Sequence, residues 1–290
     1  MPSKNVFRMP AASLAAVVAA VVMAAAIASP RPAAAADHNL PFTSIVALGD
    51  SFSDDGFADG WGFKRYTETS TWVEQLAAAT GLPLENRAWG GAMSNQRNCN
   101  HPEGTDWSGL DWQVDDYLKN LAPGTDISKV LFTVVAGSND LWGGIEDGAV
   151  SAANIRAAVE KLAAAGAKFV LYGETPGVLL APGYLTGDYV SYAEPWLKLV
   201  ADTNAVTRQE LEGGLAQYPD LKIYYVRTDP LMEKIKNKED GYVFENITDK
   251  WWGTYSYPEP GKYLWYDEWH PMGHFHSLIC REALAALTAK

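Results

Sequence analysis

Four short polar blocks of the sequence contain the residue types that acyl transfer needs. They are residues 49–54 (GDSFSD), 90–94 (GGAMS), 137–140 (GSND) and 267–270 (DEWH). The first supplies a serine nucleophile and the last places a histidine three residues after an aspartate, while the turns in the other two can present hydrogen-bond donors to an oxyanion. Each block alone is typical of an ordinary turn. Their occurrence together and in this order predicts nucleophilic catalysis.

Five apolar segments between and before these blocks have the pattern of buried strands. Residues 44–48 (SIVAL), 84–88 and 129–136 (KVLFTVVA) each end close to the glycine that opens one of the first three blocks. Two further strands are predicted at residues 168–172 (KFVLY) and 221–226 (LKIYYV). Because ligands bind beyond the carboxyl ends of parallel strands, we expect the first three blocks to meet at one edge of the sheet.

Segments with helical spacing alternate with these strands, which predicts crossover connections and a mostly parallel sheet covered on both faces. The predicted helices cover residues 71–79, 112–121, 149–165, 196–215 and about 273–289. No internal repeat, Ser/Pro-rich linker or block of charge marks a second domain, so one α/β domain is expected. Residues 241–266 contain nine aromatic side chains with little periodicity. They are predicted to form a long aromatic loop.

Residues 1–36 have the charge and hydropathy order of a secretory signal. Two basic residues precede an Ala/Val-rich run over residues 11–28, and small residues follow up to Ala36. The alternative is a retained membrane anchor, which is disfavoured because a span needs about 20 apolar residues and this run is mostly weakly apolar alanine. We therefore expect cleavage near Ala36, a single mature domain over residues 37–290, and secretion to the extracellular space or the periplasm.

The charge balance of the chain disfavours some classes of binding partner. The chain has 23 Lys and Arg against 35 Asp and Glu, a net charge of -12, and 48% of its residues are hydrophobic. A surface this acidic repels phosphate backbones and anionic lipid headgroups, so nucleic-acid binding and electrostatic membrane docking are disfavoured. No segment after the signal is long and apolar enough to span a bilayer, and no stable membrane insertion is expected. Neutral substrates are favoured.

The cysteines and isolated histidines do not predict a disulfide or a metal site. Export permits a disulfide, and Cys99 and Cys280 could form one, but the sequence leaves open whether they meet. His274 and His276 lie near Cys280, and this arrangement is more typical of residues that decorate a helix than of zinc ligands. Neither a metal site nor a cofactor site is predicted.

The four blocks together resemble the conserved blocks of the GDSL esterases and lipases, also called SGNH hydrolases. The resemblance extends from about Ser44 to His270, with Phe52 in place of the usual leucine and Met93 in a block that often carries threonine. It implies a flavodoxin-like three-layer α/β/α sandwich with a five-stranded parallel sheet. It also implies hydrolysis of carboxylic esters through an acyl-enzyme, without metal or cofactor.

The resemblance also implies a role for individual residues. Ser51 would be the nucleophile, His270 the general base, and Asp267 the group that orients the imidazole. The oxyanion hole would consist of the backbone N–H groups of Ser51 and Gly91 and the side-chain amide of Asn139. The remaining aspartates of the first and third blocks are interpreted as turn anchors rather than catalytic groups; they are Asp50, Asp54 and Asp140.

The sequence constrains the substrate less than it constrains the site residues. The substrate could be a small-molecule, glycan or lipid ester. Aromatic residues near the His270 loop could line an acyl pocket, as in lipases and lysophospholipases, or stack on sugar rings, as in carbohydrate acetylesterases. The net charge and the absence of a predicted apolar lid favour short-chain or acetyl esters. A non-catalytic carbohydrate-binding protein would have no need of a triad. A flavodoxin-like nucleotide binder is disfavoured because the first turn carries acids and lacks a glycine-rich phosphate cradle.

Overall fold

The computed structural model describes residues 39–56, 65–177, 179–254 and 259–289. The predicted signal peptide, residues 1–36, lies outside the described residues, so cleavage and export stay predictions. Within the described ranges, no helix combines the length and the apolar character needed to cross a membrane.

A five-stranded parallel sheet forms the centre of the protein. Its strands run in the order β2-β1-β3-β4-β5, and every neighbouring pair is parallel. This is the flavodoxin-like order, in which the chain reverses its winding direction between β1 and β3. The sequence prediction of five parallel strands is confirmed. The strand bounds are β1 Ser44–Gly49, β2 Leu84–Asn86, β3 Val130–Val135, β4 Phe169–Gly173 and β5 Lys222–Val226.

Helices cover both faces of the sheet and complete a three-layer α/β/α sandwich. Helices α1, α6 and α7 contribute to one buried apolar cluster, and α2 and α3 to the other. Helix α5 packs beside α3 and supplies side chains to both clusters. The helix bounds are α1 Trp72–Thr80, α2 Leu110–Lys119, α3 Gly148–Ala164, α4 Pro182–Leu185, α5 Ala193–Gly213, α6 Thr228–Lys236 and α7 Gly273–Thr288.

Strand β3 shows why the strand segments are apolar along their whole length. Leu131 and Val135 belong to the cluster on one face of the sheet, and Phe132 and Val134 belong to the cluster on the other face. All six residues of β3 are buried. A central parallel strand is covered on both faces and therefore reads as a continuous hydrophobic run rather than as an alternating pattern.

The prediction of a long aromatic loop over residues 241–266 is wrong in part. This segment contains two short strands, β6 Asn246–Lys250 and β7 Tyr263–Trp265, which pair in parallel as a separate two-stranded sheet. Residues 255–258 lie outside the described chain. Strand β6 is polar and half-exposed, so it lacks the apolar pattern that identifies a buried strand. Short elements of this kind depend on their neighbours for stability.

Candidate active site

The turn that carries Ser51 follows β1 directly. Gly49 ends that strand with a φ of +140°, and a Cβ there would overlap the backbone carbonyl of Val135 in the neighbouring strand. Only glycine fits both conditions. The backbone N–H groups of Ser53 and Asp54 donate to the carbonyl of Asp50 at 3.0 and 3.1 Å. This tight turn places Ser51 at the carboxyl edge of the sheet, where it lines a cavity of about 450 Å³.

Ser51, His270 and Asp267 form a continuous hydrogen-bonded chain. The Nε2 atom of His270 lies 2.9 Å from the Ser51 Oγ, and its Nδ1 atom lies 2.9 Å from both carboxylate oxygens of Asp267. Because a carboxylate can only accept at Nδ1, the imidazole proton lies on Nδ1 and the Nε2 lone pair faces the serine hydroxyl. The histidine and aspartate side chains are only 14% and 17% exposed.

The Asp267 carboxylate is held in its ionised form. Burial raises the pKa of Asp267, but the hydrogen bond from His270 and two backbone N–H donors outweigh burial and keep the pKa below its usual value. The two backbone donors are the N–H groups of Trp269 and His270, each 2.8 Å from Oδ1. They also close the short turn that lets one loop present both side chains.

The His270 loop is fixed at both ends by the elements around it. The Tyr266 N–H donates to the His270 carbonyl at 2.7 Å, directly after β7. At the other end, the Gly273 N–H at the start of α7 donates to both carboxylate oxygens of Glu68, at 3.0 and 2.9 Å. The ring of Tyr66 packs on the imidazole, with a centroid distance of 4.6 Å. The His270 imidazole is therefore held by backbone and ring contacts as well as by Asp267.

The three expected oxyanion donors line the same cavity as the serine hydroxyl. Gly91 has a φ of +81°, and a Cβ there would overlap the side chains of Asn98 and Asn100. One hydrogen of the Asn139 amide is used on the Ala92 carbonyl at 3.0 Å, which leaves the second available. In the described chain, the N–H groups of Ser51 and Gly91 donate to no protein acceptor. These donors are therefore available for a bound oxyanion.

Two of the aspartates interpreted as turn anchors have that role. Asp50 accepts from the Phe52 N–H at 3.0 Å and from the Ser138 hydroxyl at 2.5 Å. Burial raises the pKa of Asp50, although these hydrogen bonds oppose the increase. Asp54 accepts from the N–H of Gly56 and of Gly90, both at 2.7 Å. The structural interpretation of both residues is confirmed.

Asp140 joins the second and third blocks in the same way. It is fully buried and accepts from the backbone N–H and the hydroxyl of Ser94 at 2.7 and 2.6 Å. Ser151 donates a further hydrogen bond to it at 2.5 Å. Burial raises the pKa of this carboxyl group, and the three donors oppose that increase. Asp140 thus anchors the turn beside Asn139 and contacts no group of the hydrogen-bonded chain at Ser51.

The surroundings of two histidines and two cysteines outside the four blocks indicate structural roles. His276 does not decorate the helix surface as expected: it is buried, its Nδ1 accepts from the Trp72 N–H at 3.3 Å, and burial lowers its pKa to about 3. His274 is exposed and packs on Phe244. The disulfide that the sequence left open is not formed, since Cys99 and Cys280 are both free thiols. Burial raises the pKa of each thiol to about 11.

Aromatic side chains form one wall of the cavity, and sequence reasoning located only part of it. The expectation that aromatics near the His270 loop line the pocket holds for Trp265 and Trp269. The rest of the wall comes from α4, α5, the short 3₁₀ helix Gly187–Tyr192 between them, and the turn after Asn139. Its members are Trp142, Tyr184, Tyr189 and Trp196. Trp142 follows the third block by two positions, which is the one signal that could have identified it.

The sequence of this chain matches the model of a known family. The GDSL-like Lipase/Acylhydrolase family matches residues 47–245. The chain belongs to the GDSL-like lipase/acylhydrolase family. The family resemblance inferred from the sequence is thereby confirmed, and the matched range contains the first three of the four blocks.

The sequence identity to individual relatives is low. The thermolabile hemolysin of Vibrio parahaemolyticus is 29% identical over 153 residues, which are 48% of this chain and 35% of the hemolysin. This chain thus matches about a third of the hemolysin's length. A catalytic mutant of an acetylxylan esterase from Geobacillus stearothermophilus has a TM-score of 0.50 at 14% identity, over 86% of this chain and 97% of the esterase. Another mutant, described as an acetyl-xylooligosaccharide esterase, has the same TM-score at 14% identity, over 87% and 98%. This likeness shows that the GDSL family member shares their fold.

Proposed function

We propose that this protein is a serine esterase that hydrolyses carboxylic esters through an acyl-enzyme on Ser51. The observation that carries the proposal is the chain of 2.9 Å contacts from the Ser51 Oγ through the His270 imidazole to the Asp267 carboxylate. A serine hydroxyl is a weak nucleophile until an adjacent base takes its proton, and His270 has its Nε2 lone pair in position to do so.

The reaction follows from this geometry in two half-reactions. As the Ser51 Oγ attacks the ester carbonyl, its proton passes to the His270 Nε2, and the imidazolium that forms is stabilised by the Asp267 carboxylate. His270 then donates that proton to the leaving alcohol, and Ser51 holds the acyl group. In the second half, His270 takes a proton from water and the hydroxide attacks the acyl carbonyl. The bond between the acyl carbon and the Ser51 Oγ then breaks, His270 returns the proton to Ser51, and the carboxylic acid leaves.

The tetrahedral intermediates of both half-reactions carry a negative oxygen. The N–H groups of Ser51 and Gly91 and the amide of Asn139 are the donors that we assign to it, since all three line the cavity around the nucleophile. Each such donor typically contributes about 3–4 kcal/mol to transition-state stabilisation. No step of this scheme needs a metal or an organic cofactor.

The proposed preferred substrates are short-chain or acetyl esters of neutral alcohols. The acidic net charge supports neutral substrates, and the solved structures that share the fold include esterases described as acting on acetylated xylan and xylooligosaccharides. The cavity itself favours a second candidate. Its volume of about 450 Å³ lies within the usual range for drug-sized ligands, roughly 300–1,000 Å³, and its aromatic wall suits a longer acyl chain.

We further propose that the protein is exported after cleavage near Ala36 to the extracellular space or periplasm. The charged, apolar, small-residue order of residues 1–36 supports this proposal. Expression of the full chain in a secreting host, followed by mass spectrometry of the exported protein, tests it. A mature N-terminus at Asp37 is expected, and a protein retained in the membrane with residues 1–36 intact would contradict it.

A panel of esters tests the activity and the substrate together. p-Nitrophenyl esters from acetate to palmitate, acetylated xylan and lysophosphatidylcholine should be compared with the same enzyme preparation. Turnover that falls steadily beyond butyrate supports the short-chain proposal, and turnover that rises with chain length supports the second candidate. Binding to acetylated xylan with no turnover of any ester would favour the non-catalytic carbohydrate-binding alternative.

Covalent labelling tests the assignment of Ser51. An organophosphonate ester should modify Ser51 in the native protein, and adduct mapping by mass spectrometry should find no label after Ser51→Ala. His270→Ala should lower kcat by about 10⁴-fold or more, whereas His274→Ala, at an exposed position on α7, is the matched control and should retain activity. Labelling confined to Ser53, Ser94 or Ser138, or an active His270→Ala protein, would contradict the assignment.

A further inference from the structure

Three tryptophans form a cluster beside the second block, and other aromatic side chains line the Ser51 cavity. Trp89 directly precedes that block, Trp107 lies in the loop before α2, and Trp112 lies on α2. The ring of Trp107 meets those of Trp89 and Trp112 edge-on, with centroid distances of 4.8 and 6.1 Å. All three side chains are half-buried. We call these residues the tryptophan cluster.

The tryptophan cluster presents three hydrogen-bond donors to solvent. Among the described residues, the indole N–H groups of Trp89, Trp107 and Trp112 find no protein acceptor, and their nitrogens are not buried. The indole N–H groups of Trp72 and Trp265, by contrast, donate to protein oxygens at 3.1 and 2.9 Å. A tryptophan N–H usually has a partner once its ring is packed away from water. The three donors are therefore available to a ligand.

A second cavity opens beside the tryptophan cluster. Its volume is about 240 Å³, about half that of the Ser51 cavity, and Trp89 and Trp112 contribute its aromatic lining. The rest of its lining is polar and consists of Glu85, Asn86, Arg87, Gln113 and Asp116. Aromatic surface combined with a few placed polar groups is the composition of a small-ligand site.

The lining of this second cavity is fixed to the central sheet through Gln113. The buried Gln113 amide accepts from the Gly49 N–H at 2.7 Å and donates to the Gly49 carbonyl at 2.8 Å. It also donates to the Ser108 carbonyl, at 3.0 Å, in the loop that carries Trp107. Gly49 is the last residue of β1. A lining held in this way is already formed before a ligand arrives, which reduces the entropy cost of binding.

The charged groups of the second cavity favour a neutral ligand. Arg87 forms ion pairs with Glu85 at 2.5 Å and with Asp116 at 2.8 Å. These contacts use two of the five N–H donors of its guanidinium and leave the others for a ligand. An anionic ligand would meet two carboxylates and a chain with a net charge of -12. A cationic ligand would have to compete with Arg87 for the same carboxylates.

A sugar ring combines the two chemistries that this surface offers. The C–H groups on one face of a pyranose form an apolar patch of the kind that packs on a tryptophan ring. Its hydroxyl groups lie around the edge, where they can accept from indole N–H groups and form charge-assisted hydrogen bonds with Arg87 and Glu85. An apolar protein side chain would satisfy the rings but would leave these polar groups without a partner.

We propose that the tryptophan cluster and the cavity beside it bind a neutral sugar unit of a glycan chain, at a site distinct from the Ser51 cavity. Cys99 and Asn100 line the Ser51 cavity, whereas His101, the next residue, packs on Trp107 at 4.5 Å. The two sites thus share one loop. The proposal goes beyond the proposed esterase function, because this site needs neither Ser51 nor an ester group on the sugar.

Calorimetric titration with unacetylated trisaccharides tests the site. The parent is the Ser51→Ala protein, the probes are xylotriose and cellotriose, and thermal unfolding checks that each variant is folded. We expect the parent to bind one or both probes and Trp112→Ala to bind them roughly tenfold or more weakly. Trp112→Phe keeps a ring but loses the N–H, and its affinity should be intermediate. Trp252→Ala is the matched control, because Trp252 is 56% exposed outside the cluster, and it should bind like the parent.

Inhibition measurements separate this site from the Ser51 cavity. With Ser51 intact, a saturating concentration of the bound trisaccharide should leave kcat and KM for p-nitrophenyl acetate unchanged, because the two ligands occupy different cavities. Competitive inhibition that persists in Trp112→Ala would place the sugar in the Ser51 cavity and overturn the proposal. No turnover of p-nitrophenyl acetate would contradict the esterase assignment alone, since sugar binding is measured on the Ser51→Ala protein.

Three binding results would also overturn the proposal. The first is a parent that binds neither trisaccharide. The second is equal affinity of the Trp112→Ala and Trp252→Ala proteins for the sugar. The third is binding of tetramethylammonium, lost in Trp112→Ala, by a parent that binds no sugar, which would make the cluster a site for cations.

Discussion

The Asp50 carboxylate lies 2.5 Å from the Ser138 hydroxyl and joins the turn of Ser51 to the turn of Asn139. The same carboxylate accepts from the Phe52 N–H, so one buried group hydrogen-bonds to both turns of the candidate site. The two turns follow β1 and β3, which are adjacent strands at the point where the winding of the sheet reverses. The relative position of Ser51 and Asn139 depends on this contact.

Replacement of Asp50 should therefore affect both stability and catalysis. Asp50→Ala leaves the Phe52 N–H and the Ser138 hydroxyl without their buried acceptor, and we expect the free energy of unfolding to fall by about 1–3 kcal/mol. Asp50→Asn retains a carbonyl acceptor and should cost less. Urea denaturation and ester turnover check both variants. An Asp50→Ala protein as stable and as active as the parent would show that the hydrogen bonds of Asp50 to Phe52 and Ser138 contribute to neither stability nor catalysis.

Asn139 is expected to act on the transition state rather than on bound substrate. Asn139→Ala removes one of the proposed oxyanion donors and should reduce kcat by roughly 100- to 1,000-fold with little change in KM, because the interaction strengthens only as charge develops on the oxygen. The hydrogen bond to Ala92 is lost as well, so the free energy of unfolding should be measured alongside. Normal kcat with a raised KM would assign Asn139 to ground-state binding instead.

Gly91 is expected to tolerate no side chain. Gly91→Ala places a methyl group against the Asn98 and Asn100 side chains and should displace the Gly91 N–H, lowering kcat by at least about tenfold. Gly124→Ala is the matched control, because Gly124 has a similar φ of +80° with nothing near its would-be Cβ. Both variants share a left-handed strain of about 1–2 kcal/mol. Equal activity of the Gly91→Ala and Gly124→Ala proteins would show that the Gly91 N–H is not an oxyanion donor.

His276 should make the stability of the protein depend on pH. Burial lowers its pKa from 6.5 to about 3 in the folded protein, so between these values the unfolded chain binds one more proton than the folded chain. Stability from this group is complete above pH 6.5 and declines as the pH falls towards 3, by roughly 1–2 kcal/mol between pH 7 and pH 5.

Urea denaturation at both pH values measures this decline. His276→Gln keeps an acceptor for the Trp72 N–H and should flatten the dependence, whereas His274→Gln at an exposed position should leave it unchanged. Identical pH profiles for the parent and His276→Gln would contradict the prediction.

Much of the candidate site could be predicted from the sequence because it depends on local patterns. Apolar runs that end in glycine predict strand ends, and the alternation with helices predicts that those ends are parallel. Ser51, Gly91 and Asn139 follow from that rule, and they do line one cavity. The three-residue spacing of Asp267 and His270 likewise predicts their contact, because a short turn brings the two side chains together.

The aromatic wall could not be predicted by the same reasoning. Trp142, Tyr184 and Tyr189 lie on three separate elements and share no spacing or periodicity, so only their packing in the folded chain reveals that they face one cavity. The exposed apolar side chains within residues 185–192 were missed for a related reason. An apolar residue in a short irregular helix gives the same sequence signal whether it points into the core or into solvent.

The sequence by itself determined the alternation of strands and helices, the parallel sheet and the strand-end positions of the chemical groups, since these follow from hydrophobic period and turn chemistry. Only the tertiary structure decided the contact between His270 and Ser51, which are separated by 219 positions in the chain, the free thiols of Cys99 and Cys280, and the exposed direction of Leu185 and Val190. The physical reason is that local patterns constrain neighbouring residues, whereas these features depend on how distant elements pack against one another.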